Sequence, residues 1–199
     1  MPETIPMLRI EGRSYKVGIV SILLMVFIFG TILLMIVSPE IDPRFFFILS
    51  TIMCMGFVMG VLAGLPRLSM VPDMNAVLIG LTGYVALAVG TFILGLDLSI
   101  LNTSTLTLLY APLAEEIAFR FGLHRFLARF MKDYMALVLQ AVIFGIYHWM
   151  VYPGYTELAW YPILAGLIFG ILNTMTRNLD APLIAHFLNN LTVAIMQWW

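Results

Sequence analysis

The sequence predicts an all-α integral membrane protein, a bundle of seven to eight transmembrane helices with one amphipathic helix on the cytoplasmic side. Three observations predict it. Hydrophobic residues make up 62% of the 199 and charged residues only 11%, against about 25% charged in a soluble domain. The apolar residues gather into long uncharged runs. Inside otherwise apolar segments lie an acid, base and amide set: Glu115, Glu116, His148, His186 and Asn190, with Arg120 close behind. An ionisable group in hydrocarbon costs several kcal/mol, so it persists mainly where it lines a cavity or does chemistry.

A span needs roughly 20 apolar residues at 1.5 Å each. Runs 17–37, 45–65, 74–96, 98–114, 134–152, 158–175 and 181–199 come near that length. The first is full length and lacks a small-residue cleavage site, so it reads as a retained helix and not as a secretory signal. Cys54, the single cysteine, lies inside the second run, which excludes a disulfide framework and a thiolate metal cluster. A net charge of −1 gives no basic footprint for nucleic acid; the lipid bilayer is the expected surrounding. No internal repeat stands out.

Orientation follows from Lys and Arg, because short loops carrying them stay cytoplasmic. Arg9, Arg13, Lys16, Arg67, Arg125, Arg129, Lys132 and Arg177 fall on one side and Arg44 on the other. The amino terminus is therefore expected in the cytoplasm, and the turn-rich loops 39–43 and 153–157 outside.

The fourth segment is too long for one straight span, since apolar sequence continues past the glutamates to Met131. Residues 101–119 read as spanning. Residues 120–132 read as an amphipathic cytoplasmic-side helix, with Arg125, Arg129 and Lys132 on one face and Leu123, Phe126, Leu127, Phe130 and Met131 on the other. Pro112 offers a second option, a helix start followed by acidic residues. Of the other polar or aromatic groups, His124 reads as interfacial. Tyr147, Trp149, Trp198 and Trp199 read as aromatic-belt anchors, and Asn173 as an interhelical hydrogen bonder, a reading open to His148 and Asn190 as well.

Glu115 and Glu116 are adjacent and so lie about 100° apart on a helix, which gives them different jobs. Glu116 and Arg120 are four apart and share a face, where the opposite charge keeps Glu116 fixed. Glu115 is then the freer carboxylate, suited to taking a proton from water. His186 and Asn190 are also four apart, so an imidazole and an amide can meet a developing oxyanion together. His148 supplies a further donor or orients the water.

Glu115-Glu116-x-x-x-Arg120, Phe144-x-x-x-His148 and His186-x-x-x-Asn190, in that order on successive apolar helices, resemble the CPBP (CAAX protease and bacteriocin-processing, or Abi) family of intramembrane proteases. The resemblance covers roughly residues 101–199. It implies an endopeptidase in which the first Glu activates water. It also implies a substrate that is a prenylated protein C-terminus losing a tripeptide, or another processed peptide. The family often has Gly directly after the Arg, whereas here Phe121 follows and Gly122 comes next. The chain then reads as a single polytopic domain, 1–199, with 1–100 as non-catalytic spans and 101–199 as the catalytic core.

No cofactor is favoured, but zinc stays open: two His and a carboxylate make a plausible ligand set with water in the fourth position. Against it, no His-Glu-x-x-His helix is present, and Asn190 is a poor zinc ligand. A proton-coupled transporter using the buried carboxylates and a bis-histidine haem protein are further alternatives. One mismatch accompanies the protease reading: His148 lies about 21 Å along its helix from Tyr134, deeper than Glu115 and His186 are expected to sit.

Overall fold

The computed structural model describes residues 15–18, 43–69, 71, 73–96, 105–151 and 160–196. Within them the chain is helical apart from one small pairing of strands. Helix α1 spans Pro43–Leu62 and α2 Met74–Ile93. Helix α3 spans Thr105–Glu116 and runs through a π-helical segment, Ile117–His124, into the single turn α4, Arg125–Leu127. Helices α5, Asp133–Val151, α6, Trp160–Thr176, and α7, Asp180–Met196, complete the order. Arg9, Arg13, the run 19–37, the loops 39–42 and 153–157, residues 98–104 and the Trp198–Trp199 pair lie outside the described residues.

Among the described residues two helices, α2 and α5, are long and apolar enough to cross a membrane, while 47–62 and 160–176 are apolar but shorter. Side-chain placement is inverted relative to a water-soluble fold. Phe57, Val58, Val85, Phe92, Val138 and Ile146 point outward, whereas Glu115, Glu116, Arg120, Gln140, Asp180 and His186 are buried. A face that apolar suits lipid tails and not water. Trp149 is exposed, as a belt residue would be.

Small residues set the helix spacing, as expected where close packing has to replace a hydrophobic drive between helices. Gly122 in the π segment lies directly on the backbone of Gly56 in α1, and a Cβ at Gly56 would collide with the Ala118 backbone. Gly80 of α2 approaches the Ala181 carbonyl of α7 closely enough that a Cβ would stand 2.7 Å from its oxygen. The glycine expected directly after Arg120 is thus served one position later, by Gly122.

The described residues correct three expectations. Lys16–Val17 form strand β1, parallel to β2, Arg67–Leu68, so Val17 does not open a span. The strand also closes on the α6–α7 turn: the Lys16 N–H donates to the Arg177 carbonyl (2.8 Å) and Lys16 accepts from the Leu179 N–H (3.1 Å). These bonds gather Lys16, Arg67 and Arg177 at one end of the bundle. Pro112 does not start a helix but sits inside α3. Finally, no boundary falls at Arg120, which is completely buried in the π segment. The surface stretch begins only at Arg125; Arg120 is held inside with Glu116 one turn back and the Phe144 and Phe169 rings beside it.

Candidate active site

Pro112 shapes the end of α3 that carries both glutamates. A proline has no N–H for the carbonyl four residues back, which leaves the Leu108 oxygen without its helical donor. Asn190 of α7 fills that place, its side-chain Nδ2 donating to the Leu108 oxygen at 3.0 Å. Neighbouring side chains commonly re-satisfy carbonyls freed by a membrane proline. The π segment begins one residue after Glu116, and such insertions recur at functional sites.

Glu115 and Glu116 face different partners, as their 100° separation requires. Glu115 Oε2 lies 3.5 Å from Nε2 of His148 on α5 and 3.6 Å from Nε2 of His186 on α7. Glu116 Oε1 lies 3.1 Å from Arg120 Nη1 and accepts a 2.7 Å hydrogen bond from His186 Nδ1. His186 therefore bridges the two carboxylates, one through each ring nitrogen. His148 Nδ1 donates to the Phe144 carbonyl at 2.9 Å; a carbonyl only accepts, so that nitrogen carries the hydrogen and Nε2 is turned to Glu115. Every one of these groups is at most 6% exposed.

Aromatic rings wall the cluster. The Arg120 guanidinium stacks 4.3 Å from the Phe144 ring centre and 5.2 Å from that of Phe169. Phe169 also stacks on His186, with centres 4.5 Å apart and planes at 18°. Phe144 packs on His148 at 4.2 Å. The Gly166 carbonyl accepts from both Arg120 (3.3 Å) and Gln140 (3.0 Å), which ties α5, α6 and the π segment together. In such a dry box each charge interaction is stronger than in water.

The depth mismatch came from ending the span at Phe119: the helical path continues through the π segment to His124, which sets Glu115 nine residues in from that end. His124 at the end of the π segment meets Asp133 at the start of α5, while Phe119 meets Phe144 and Tyr147, so the two helices run antiparallel. Phe119 packs on Phe144, so Glu115, four residues before Phe119, lies level with His148, four residues after Phe144. The buried start of α7 helps: Asp180 is fully enclosed, so His186 begins deep and not at the surface.

The structure thus brings Glu115, Glu116, Arg120, His148 and His186 into one cluster. Asn190 shares a helix face with His186, but its recorded bond goes to the Leu108 carbonyl and not to the other site residues. His124 is a correction: it is 3% exposed and lies 3.1 Å from Asn173, not at an interface. Tyr147, a half-buried residue, has its ring 5.3 Å from that of His148. Sequence reading passed over Gln140 and Phe169. Gln140 had a signal, since it precedes Phe144 and His148 at four-residue steps in an apolar helix; Phe169 had none.

Residues 97–192 match the family model described as Rce1-like, type II CAAX prenyl endopeptidase. Over these residues the chain is similar to that protease family. The match contains all three motifs and agrees with the CPBP resemblance. No curated protein and no solved structure matches the chain. The match implies protease activity, and the buried polar cluster lies within the matched residues.

Proposed function

We propose that this Rce1-like protein hydrolyses a peptide bond with water activated by Glu115, removing the C-terminal tripeptide of a prenylated CAAX protein or processing another peptide. The observation that carries the reading is the carboxylate oxygen of Glu115 within 3.6 Å of two imidazole nitrogens from different helices. Catalysis is assigned to residues 101–199; residues 1–100 supply supporting spans. The protein is multi-pass, with its basic end and amino terminus cytoplasmic by the positive-inside rule.

With neutral imidazoles, Glu115, Glu116 and Arg120 sum to one negative charge. A buried cluster is stabilised by neutrality, so one mobile proton belongs among Glu115 Oε2, His148 Nε2 and His186 Nε2. In the reaction Glu115, as carboxylate, takes a proton from water whose oxygen bonds to the substrate carbonyl carbon. The carbonyl oxygen becomes an oxyanion, met by the Nε2–H of protonated His186 and by the second amide hydrogen of Asn190. Glu115 then returns its proton to the leaving nitrogen as the C–N bond breaks, leaving a new carboxyl group and a free amine. Glu116 acts through His186, fixing Nδ1 as the donor side, and Arg120 holds Glu116.

Zinc has one observation in its favour, because tetrahedral ligands stand about 3.4 Å apart and the Glu115-imidazole distances come near that. Yet among the described residues no group of three or more His, Cys, Asp or Glu side chains is arranged to hold a metal ion. We assign the water activation to Glu115 alone.

The test is purified protein incubated with a prenylated CAAX peptide and product masses measured. Loss of three C-terminal residues, abolished in Glu115→Gln, is the expected result. An intact peptide with folded protein rules out the CAAX substrate and leaves the other peptides, whereas cleavage by Glu115→Gln overturns the role of Glu115.

A further inference from the structure

Nine residues beyond Glu115 the same helix carries a second buried polar cluster that hydrolysis does not use. Asn173 lies 3.1 Å from His124 and accepts a 2.6 Å hydrogen bond from the Tyr15 hydroxyl. His124 Nε2 lies 3.4 Å from Asp133, whose other oxygen stands 3.6 Å from Arg177. Beside this cluster opens a cavity of about 230 Å³, whose charged lining is Arg125, Arg129, Arg177 and Asp133, with His124 alongside. Among the described residues this lining sets three guanidinium groups against one carboxylate.

The arginines are aimed by backbone and not neutralised by it. Arg125 donates to the Gly60 and Gly64 carbonyls (3.3 and 2.6 Å), and Arg129 to that of Leu62. These bonds fix the planar forks while leaving their charge in place, the condition under which arginine receives a phosphate well. The flank beyond is apolar. Leu65, which lines the cavity, is 81% exposed, and Leu62, Val58 and Met55 continue the outward face of α1. A cationic recess thus opens where a lipid-facing helix ends.

We propose that this cavity binds the phosphate headgroup of an anionic phospholipid, with Arg129 and Arg177 meeting the phosphate and the acyl chains lying along the outer face of α1. Basic recesses between membrane helices hold anionic headgroups in this way. The apolar flank selects a lipid over free phosphate. The uncompensated guanidinium charge selects an anionic headgroup over one bearing its own cation.

Native mass spectrometry tests this on the full-length protein in detergent containing equal phosphatidylglycerol and phosphatidylcholine. Phosphatidylglycerol should be retained preferentially. The preference should fall about fivefold for Arg129→Gln and again for Arg177→Gln, the factor expected of one cation near a membrane surface. Arg177 also pairs with Asp133, so Arg129→Gln carries the test if Arg177→Gln does not fold. With the unaltered protein, raising salt from about 0.1 M to 1 M should weaken the preference as the screening length shrinks. Equal retention of both lipids, a preference untouched by Arg129→Gln, or a melting-temperature gain from inorganic phosphate equal to that from phosphatidylglycerol overturns the proposal.

Discussion

Replacing each of the two adjacent glutamates in turn should produce opposite phenotypes. Glu116→Ala removes the carboxylate 3.1 Å from Arg120, a guanidinium with no solvent exposure, and strands that charge among Phe144, Phe169 and the Gly166 carbonyl. Breaking a buried pair from one side costs about 3–5 kcal/mol. For a chain of this size each kcal/mol shifts the melting temperature by about 2–4 °C, so the drop should be roughly 6–20 °C. Glu115→Gln leaves that pair intact, and its amide hydrogens can donate to the Nε2 atoms of His148 and His186 that the carboxylate faces. Its melting temperature should stay within about 3 °C of the parent, while cleavage falls on the order of a hundred- to ten-thousandfold with the loss of the base. Melting in detergent and peptide cleavage, read on the same preparations, give both numbers. A Glu116→Ala protein that melts with the parent would refute the buried-pair argument; an active Glu115→Gln protein would refute the role of Glu115.

Pro112→Ala restores an N–H for the Leu108 carbonyl. A double-mutant cycle of Pro112→Ala with Asn190→Ala should therefore show a coupling of about 0.5–1.5 kcal/mol in stability, and additive effects would break the link between the two residues. Gly122→Ala places a methyl group against the Gly56 backbone, which cannot yield as a side chain would. It should cost about 1–3 kcal/mol, read as a lowered melting temperature, and an unchanged one would show that α1 can move aside. Chelators should leave cleavage within about twofold of the untreated rate, a change under 0.5 kcal/mol in barrier. Activity lost on chelation and regained with zinc would establish the metal reading instead.

Much of the site was legible because buried charge is rare enough in an apolar sequence to be informative by itself. The 100° offset of neighbouring residues separated Glu115 from Glu116, and the four-residue spacing paired Glu116 with Arg120, both as the structure has them. Depth was less legible. Hydropathy locates a run of apolar residues but not where a helix starts within the protein, and Asp180 starts α7 inside the bundle. His124 was placed at an interface because neighbouring arginines gave its stretch an amphipathic pattern. The π segment changes the angular step between residues, so a pattern drawn for 3.6 residues per turn misplaces the side chains beyond Arg120. The Lys16–Val17 strand escaped for another reason: its pairing with Arg67 and its bonds to the α6–α7 turn are long-range, and no local periodicity signals them.

Arg120 has a consequence for the proposed reaction beyond holding Glu116. Two carboxylates and two neutral imidazoles in a buried site would require two added protons for neutrality, shared among the four groups. The guanidinium supplies one of those charges permanently, since arginine does not release its proton in proteins. A single exchangeable proton is left, and Glu116, held by Arg120 and His186, is not where it resides. In the proposed reaction it moves instead among Glu115, His148 and His186, whose facing atoms stand 3.5 and 3.6 Å apart. The fixed pair and the mobile proton are therefore parts of one arrangement: the buried arginine lets one glutamate stay charged so that its neighbour can alternate between base and acid.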